Sequence, residues 1–308
     1  MTAPMLERAH MLEGAPHLLL REQSVADGHP VLYIHGATFP SACSIMHRFD
    51  GVSWADHLNG CCFSAYGLDF AGFGGSDRYE AVPERTIPGR SETAVEQISR
   101  AVDFVRAHHG GQRVSLIAHS WGTIAACLFA SLHPEAVQAL SLFGPIIRRE
   151  GPPRALPDGS TRLVTIRQQY DRFVEDVPKD HPPVLLDRHF KLWAEAYLAT
   201  DPDSRMREPP AVLIPNGPAA DIAAAWSGEM LYDPARLMMP LQVVRGAWDS
   251  LCTDEDVAWL RRDTPACARF EDVKIKRGTH LMHLEEQRGA LHDAAARFLR
   301  ECLEFIRD

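Results

Sequence analysis

The 308 residues predict an α/β fold, a mainly parallel central sheet flanked by helices, with an inserted helical cap. Three observations predict it. Short apolar runs alternate with longer stretches of helical periodicity, the pattern of strands joined by crossover helices. After Gly144-Pro145 that rhythm stops, and it resumes only near Leu241. Between the two, the run Val114-Ser115-Leu116-Ile117 leads directly into Ala118-His119-Ser120-Trp121-Gly122. Small residues flank the serine there, as a strand turning sharply into a helix requires.

Each element follows from its residues. Leu18-Leu19-Leu20 and Val31-Leu32-Tyr33-Ile34 read as early strands, and the run from Cys62 to Leu68 as another. A helix starts from an N-cap at Ser91, carries Val95, Ile98, Val102 and Val105 on one face, and stops at Gly110-Gly111. The serine-bearing strand comes next. Behind it a helix runs through Ala125, Leu128 and Phe129 and ends near His133-Pro134, and Val137 to Phe143 form a further strand.

From about Ile146 to about Leu237 the chain is rich in proline and charge. Helical patterns stand at Val164–Val177 and Leu185–Leu198, with a third apolar stretch at Ile222–Met230. Strand-like runs are weak here, so the expectation is a helical lid. Leu241-Gln242-Val243-Val244 and Phe270–Ile275 return to strand character, and an amphipathic helix takes Leu291 to Ile306. The expected division is a core of residues 1–145 and 238–308 and a cap of residues 146–237. Neither an internal repeat nor a low-complexity tract interrupts it.

Composition excludes several classes of function. The net charge is −9, and no basic stretch is long enough to track phosphates, which argues against a nucleic-acid partner. Arg148-Arg149 and Lys274-Ile275-Lys276-Arg277 are short, broken clusters of the kind a solvated face carries. No segment is apolar enough to span a bilayer, and Met1 to Gly14 lacks the apolar core of a signal peptide. Seven cysteines without a C-x-x-C pair fit free thiols in a reducing compartment, so a cytoplasmic location is expected.

A serine hydroxyl is a poor nucleophile until a base takes its proton, and that base needs an acid to orient it. Both should lie beyond the carboxyl ends of neighbouring strands. Asp249 stands just past Leu241–Val244 and His280 just past Phe270–Ile275, giving the chain order Ser120, Asp249, His280. Asp254, Asp256 and Asp263 compete for the acid, but the first two read as the acidic first turn of a helix. His283, three residues beyond His280, invites a metal reading, yet no zinc-type ligand spacing accompanies it; no metal and no cofactor are expected. Cys43 and Cys252 read as inert core thiols.

These stretches, together with His35-Gly36-Ala37-Thr38, Asp69-Phe70-Ala71-Gly72-Phe73-Gly74-Gly75-Ser76, Gly246-Ala247-Trp248-Asp249 and Gly278-Thr279-His280, resemble the α/β-hydrolase superfamily along nearly the whole chain. Ala118 stands where the family usually has glycine. The resemblance implies an oxyanion hole made by the backbone N–H groups of Ala37 and Trp121. It also implies that His35 serves as a structural hydrogen-bonding residue and that the glycine-rich turn walls the site. A serine nucleophile disfavours the dehalogenase and epoxide-hydrolase chemistries of the superfamily, which need an aspartate.

The reading is a serine hydrolase acting on an ester, thioester or lactone of a small to medium, partly hydrophobic acyl compound. His35, Thr38, His119, Tyr170, Trp193 and Trp226 are the candidate pocket residues. Three alternatives stay open. The elbow is similar to that of proline iminopeptidases, although Ala37-Thr38-Phe39-Pro40 replaces their His-Gly-Gly-Pro-Gly loop; a peptidase would also need lid carboxylates such as Asp171, Glu175 and Asp176 for the substrate's amino group. Carbon–carbon bond hydrolases share the fold and the three residues. A non-catalytic ligand-binding protein on the same scaffold is the alternative of a different class.

Overall fold

A computed structural model describes residues 7–79 and 86–304. Ten strands enter it in chain order: β1 (Arg8–Leu12), β2 (Leu18–Gln23), β3 (His29–Ile34), β4 (Phe63–Leu68), β5 (Val114–His119), β6 (Val137–Phe143), β7 (Thr161–Thr165), β8 (Ala211–Pro215), β9 (Leu241–Gly246) and β10 (Phe270–Ile275). Eight of them form one sheet in the order β1-β2-β4-β3-β5-β6-β9-β10. The β1–β2 and β2–β4 pairs are antiparallel, and every pair from β4 through β10 is parallel.

The parallel strands read as continuous apolar runs because helices cover both faces. Alternate residues point to opposite sides. Val31 and Tyr33 of β3, Ile117 of β5 and Phe143 of β6 pack with Trp54 and Leu58 of α1 (Trp54–Gly60) and Leu291 and Phe298 of α8 (Arg288–Glu304). On the other face, Leu32, Ile34, Leu116 and Leu142 meet Ile98 and Val102 of α2 (Ser91–His108) and Ile124 and Phe129 of α3 (Gly122–Leu132). Burying these side chains contributes roughly 1.5–3 kcal/mol each relative to leaving them exposed.

Several elements differ from the sequence expectation. Strand β1 is a polar edge strand, held by Arg8 and His10 against Glu22 of β2; its lack of apolar alternation hid it. Helix α1 rests on a capping box in which Ser53 and Asp56 satisfy each other's backbone N–H groups. The final helix, which follows α7 (Asp254–Asp263), begins at Arg288, earlier than expected, and residues 305–308 lie outside the described residues.

The segment between β6 and β9 is not purely helical. It holds α4 (Ile166–Val174), α5 (Asp187–Leu198) and α6 (Gly217–Ala225), but β7 and β8 pair antiparallel from Thr161↔Pro215 to Thr165↔Ala211. Val164 therefore lies within a strand instead of opening a helix. Each strand is five residues long and its partner is far away in sequence, so the pairing leaves no local signal. The stretch at Ile222–Met230 splits: Ala225 ends α6, and turns follow. Among the described residues no helix is long and apolar enough to cross a membrane.

Candidate active site

Because β5, β9 and β10 run parallel, their carboxyl ends open on one edge of the sheet, and Ser120, Asp249 and His280 all follow those ends. Ser120 has φ +54°, a left-handed backbone that a non-glycine residue adopts only under local constraint. The constraint is visible. The Ser120 N–H donates to Phe143 O at the end of β6 (3.1 Å), and the Ser120 carbonyl accepts from the N–H (2.9 Å) and hydroxyl (2.6 Å) of Thr123. The chain then enters α3 at Gly122. A Cβ on that glycine would lie 2.3 Å from His35 O and 2.8 Å from Ile34 O, so only glycine lets the helix seat against the end of β3.

The three side chains meet. Ser120 Oγ lies 2.8 Å from His280 Nε2, and His280 Nδ1 lies 3.0 and 3.1 Å from the two carboxylate oxygens of Asp249. A carboxylate only accepts, so Nδ1 carries a proton; the tautomer this selects leaves Nε2 free to accept from the Ser120 hydroxyl. Burial pushes the Asp249 carboxyl upward, but the charge and hydrogen bond of His280 and the N–H of Leu251 outweigh it and hold the group below the ordinary carboxylate range. The competing acids are engaged elsewhere: Asp254 with Arg245 and Lys274, Asp256 with Arg149, Asp263 with Arg262.

Ala37 follows β3 beside this turn, and Trp121 is the N-cap of α3. Among the described residues neither backbone N–H finds an acceptor. His35 is wholly buried, with Nδ1 donating to Gly36 O (2.8 Å) and Nε2 accepting from Phe70 N–H (3.1 Å); both nitrogens hold backbone. Burial keeps its pKa below the usual histidine value.

His119 stacks on Phe143 and donates from Nε2 to the His280 carbonyl (3.0 Å), leaving Nδ1 without a partner. Burial, then the neighbouring His283 and His280, drive its pKa well below the usual value, so it stays neutral. His283 packs against His119 and Phe143, and burial lowers it to about 3. Burial likewise raises the thiols of Cys43 and Cys252; neither is a thiolate at neutral pH.

Of the remaining pocket candidates, Tyr170 and Trp193 share one aromatic cluster, joined through Phe190. Thr38 is half-buried on the loop after β3. Trp193 is fully buried, donates from Nε1 to Cys43 O (2.8 Å), and packs on Tyr197, Phe39 and Phe173, anchoring α5 to the core. Tyr170 meets Phe190 edge-on. The guanidinium groups of Arg149 and Arg154 each lie over the Trp226 ring, 4.8 and 4.6 Å from its centroid.

Three residues next to the site escaped the sequence reading. Gly144, in a left-handed conformation at φ +50°, passes so close that a Cβ would lie 3.0 Å from both Asp249 Oδ2 and His280 Nδ1. The Gly-Pro pair marked a strand end but not that contact. Asp221 in α6 accepts from the Trp121 indole, and Glu285 accepts from the Thr279 hydroxyl beside His280; nothing in their local sequence distinguishes them from surface acids.

A serine on a strained strand–helix turn, with an imidazole and a carboxylate delivered from later strands of a mostly parallel sheet, defines the class of α/β hydrolytic folds. The model of the family described as "alpha/beta hydrolase fold" matches residues 29–222, well over half of the chain, and the protein belongs to that family.

The chain is 28% identical over 125 residues to a triacylglycerol lipase of Pseudomonas fragi, a stretch covering 40% of this chain and 37% of the lipase. The match thus spans little more than a third of that relative. Among solved structures, a thioesterase domain from the curacin biosynthetic pathway superposes with a TM-score of 0.65 at 16% identity, covering 96% of this chain and 99% of that one. The 2-hydroxy-6-oxo-6-phenylhexa-2,4-dienoate hydrolase of Rhodococcus sp. strain RHA1 superposes with a TM-score of 0.62 at 19% identity, over 97% and 100%. At such identities the likeness is one of fold.

Proposed function

We propose that the protein is a serine hydrolase that cleaves an ester, thioester or lactone of a small to medium, partly hydrophobic acyl compound. The observation that carries this reading is the continuous hydrogen-bonded chain from Ser120 Oγ through His280 to Asp249. In the proposed reaction Ser120 Oγ attacks the substrate carbonyl carbon while His280 Nε2 takes the hydroxyl proton. The carbonyl oxygen becomes an oxyanion and accepts from the Ala37 and Trp121 N–H groups, which need no reorganisation to meet it. His280 returns the proton to the departing alcohol or thiol as the tetrahedral intermediate collapses to an acyl-enzyme. Water repeats the attack with His280 as base, releasing the acid and restoring Ser120.

Residues 146–237 act in this reading as a cap roofing the site and excluding water. The three lid carboxylates that an aminopeptidase would offer to a substrate amine are occupied. Asp171 pairs with Arg167, Glu175 with Arg172, and Asp176 accepts from Ser250 and from the His280 N–H, which favours an uncharged acyl substrate. The relatives named as lipase and thioesterase support the same chemistry by analogy. Seven free cysteines accord with a cytoplasmic location.

A fluorophosphonate probe tests the reading. Wild-type protein is expected to be labelled, and Ser120→Ala to lose both labelling and p-nitrophenyl ester hydrolysis. A folded wild type that resists the probe would instead favour a ligand-binding protein.

A further inference from the structure

Two buried carboxylates of the segment between β6 and β9 reach all three loops that carry the site. Asp176, just beyond α4, has a side chain only 2% exposed. It accepts from the Ser250 hydroxyl (2.6 Å) and N–H (3.3 Å), next to Asp249, and from the His280 N–H (3.3 Å). One carboxylate therefore ties the acid loop to the base loop.

Asp221 of α6 is fully buried. It accepts from the Trp121 indole N–H (2.9 Å), the Arg90 guanidinium (2.7 Å) and the Ser91 N–H at the start of α2 (2.6 Å). Trp121 immediately follows Ser120, so this carboxylate fixes the turn that presents the serine. Charge-assisted hydrogen bonds to buried donors are the strong ones, and removing such an acceptor leaves several donors unsatisfied.

We propose that Asp176 and Asp221 are positioning residues through which the inserted segment sets the geometry of Ser120, Asp249 and His280. The segment in that case does more than roof the site: its docking completes it. Catalysis tolerates displacement of such groups poorly, since misplacement by about 1 Å can cost on the order of a hundredfold in rate.

The proposal rests on the serine-hydrolase reading for its kinetic consequence and on hydrogen exchange for its structural one. In Asp176→Ala and Asp221→Ala, kcat per fluorophosphonate-titrated site on a short p-nitrophenyl ester should fall roughly ten- to a hundredfold while KM changes little. Trp121→Phe should reproduce the Asp221→Ala loss, and the double variant should add almost nothing, as members of one linked unit do. Amides at 249–251 and 279–281 should exchange faster in Asp176→Ala, and those at 120–123 in Asp221→Ala.

Asp176→Asn and Trp121→Phe serve where the alanine variants do not fold. Unchanged exchange in these loops, or unchanged kcat per titrated site, overturns the proposal. A wild type inert to both ester and probe sinks the hydrolase reading alone, because the exchange result still decides whether the carboxylates brace the loops.

Discussion

Gly144 stands against His280: any side-chain carbon on this glycine would come within 3.0 Å of the ring nitrogen Nδ1, and equally close to the carboxylate it bonds. Gly144→Ala should both strain a left-handed backbone and wedge apart the Asp249–His280 pair. The two effects together cost on the order of 1–3 kcal/mol. We expect kcat to fall about tenfold or more at nearly constant KM, with a lowered melting temperature; ester kinetics and a thermal melt check both. Wild-type turnover in this variant would mean that the pair does not need its present spacing.

Asp249→Asn removes the acceptor that keeps the proton on Nδ1 of His280. The asparagine can donate to that nitrogen instead, which favours the tautomer with Nε2 protonated and unable to accept from Ser120. Loss of kcat by about four orders of magnitude is expected, as for other triads of this geometry. Phosphonate labelling should slow in parallel. Near-normal turnover would place the orienting acid elsewhere.

Glu285 makes a pH prediction. Burial foremost, opposed by the Thr279 hydroxyl and Arg172 and reinforced by Asp176, raises its pKa from 4.5 to about 8. The folded chain therefore holds a proton that the unfolded chain releases, so this group's stabilisation is complete below about 4.5 and fades as pH rises through about 8. The slope between those limits approaches about 1.4 kcal/mol per pH unit. Wild type and Glu285→Gln should melt at similar temperatures near pH 5, with the wild type melting lower at pH 9. Parallel melting curves across that range would show that Glu285 carries no such proton.

How far the sequence reaches depends on how local the cause is. Ser120 was legible because the steric demands of its turn are written within five residues, from Ala118 to Gly122. Asp249 and His280 were legible because apolar runs end shortly before each, and strand ends are where such groups collect. Asp176 stood among candidate amine-binding carboxylates and Asp221 went unnoticed, since only tertiary packing buries them and supplies their donors. The β7–β8 pair failed for the same reason: Ala211–Pro215 finds its partner across a long separation. Trp193 was read as a possible pocket aromatic and the structure buries it against Cys43 O and Tyr197; an aromatic that anchors a helix and one that lines a cavity look identical in sequence.

The sheet order places β6 beside β9, with Leu140 opposite Leu241 and Phe143 opposite Val244, although the whole stretch 146–237 lies between them in the chain. Entrance and departure of that stretch therefore share a single doorway in an otherwise uninterrupted scaffold. Closing a longer excursion costs little extra, only about 0.6 kcal/mol per doubling of its length. What passes through the doorway can thus lengthen or shorten without disturbing the strands on either side, so long as it still brings the carboxylates of Asp176 and Asp221 to the loops they hold.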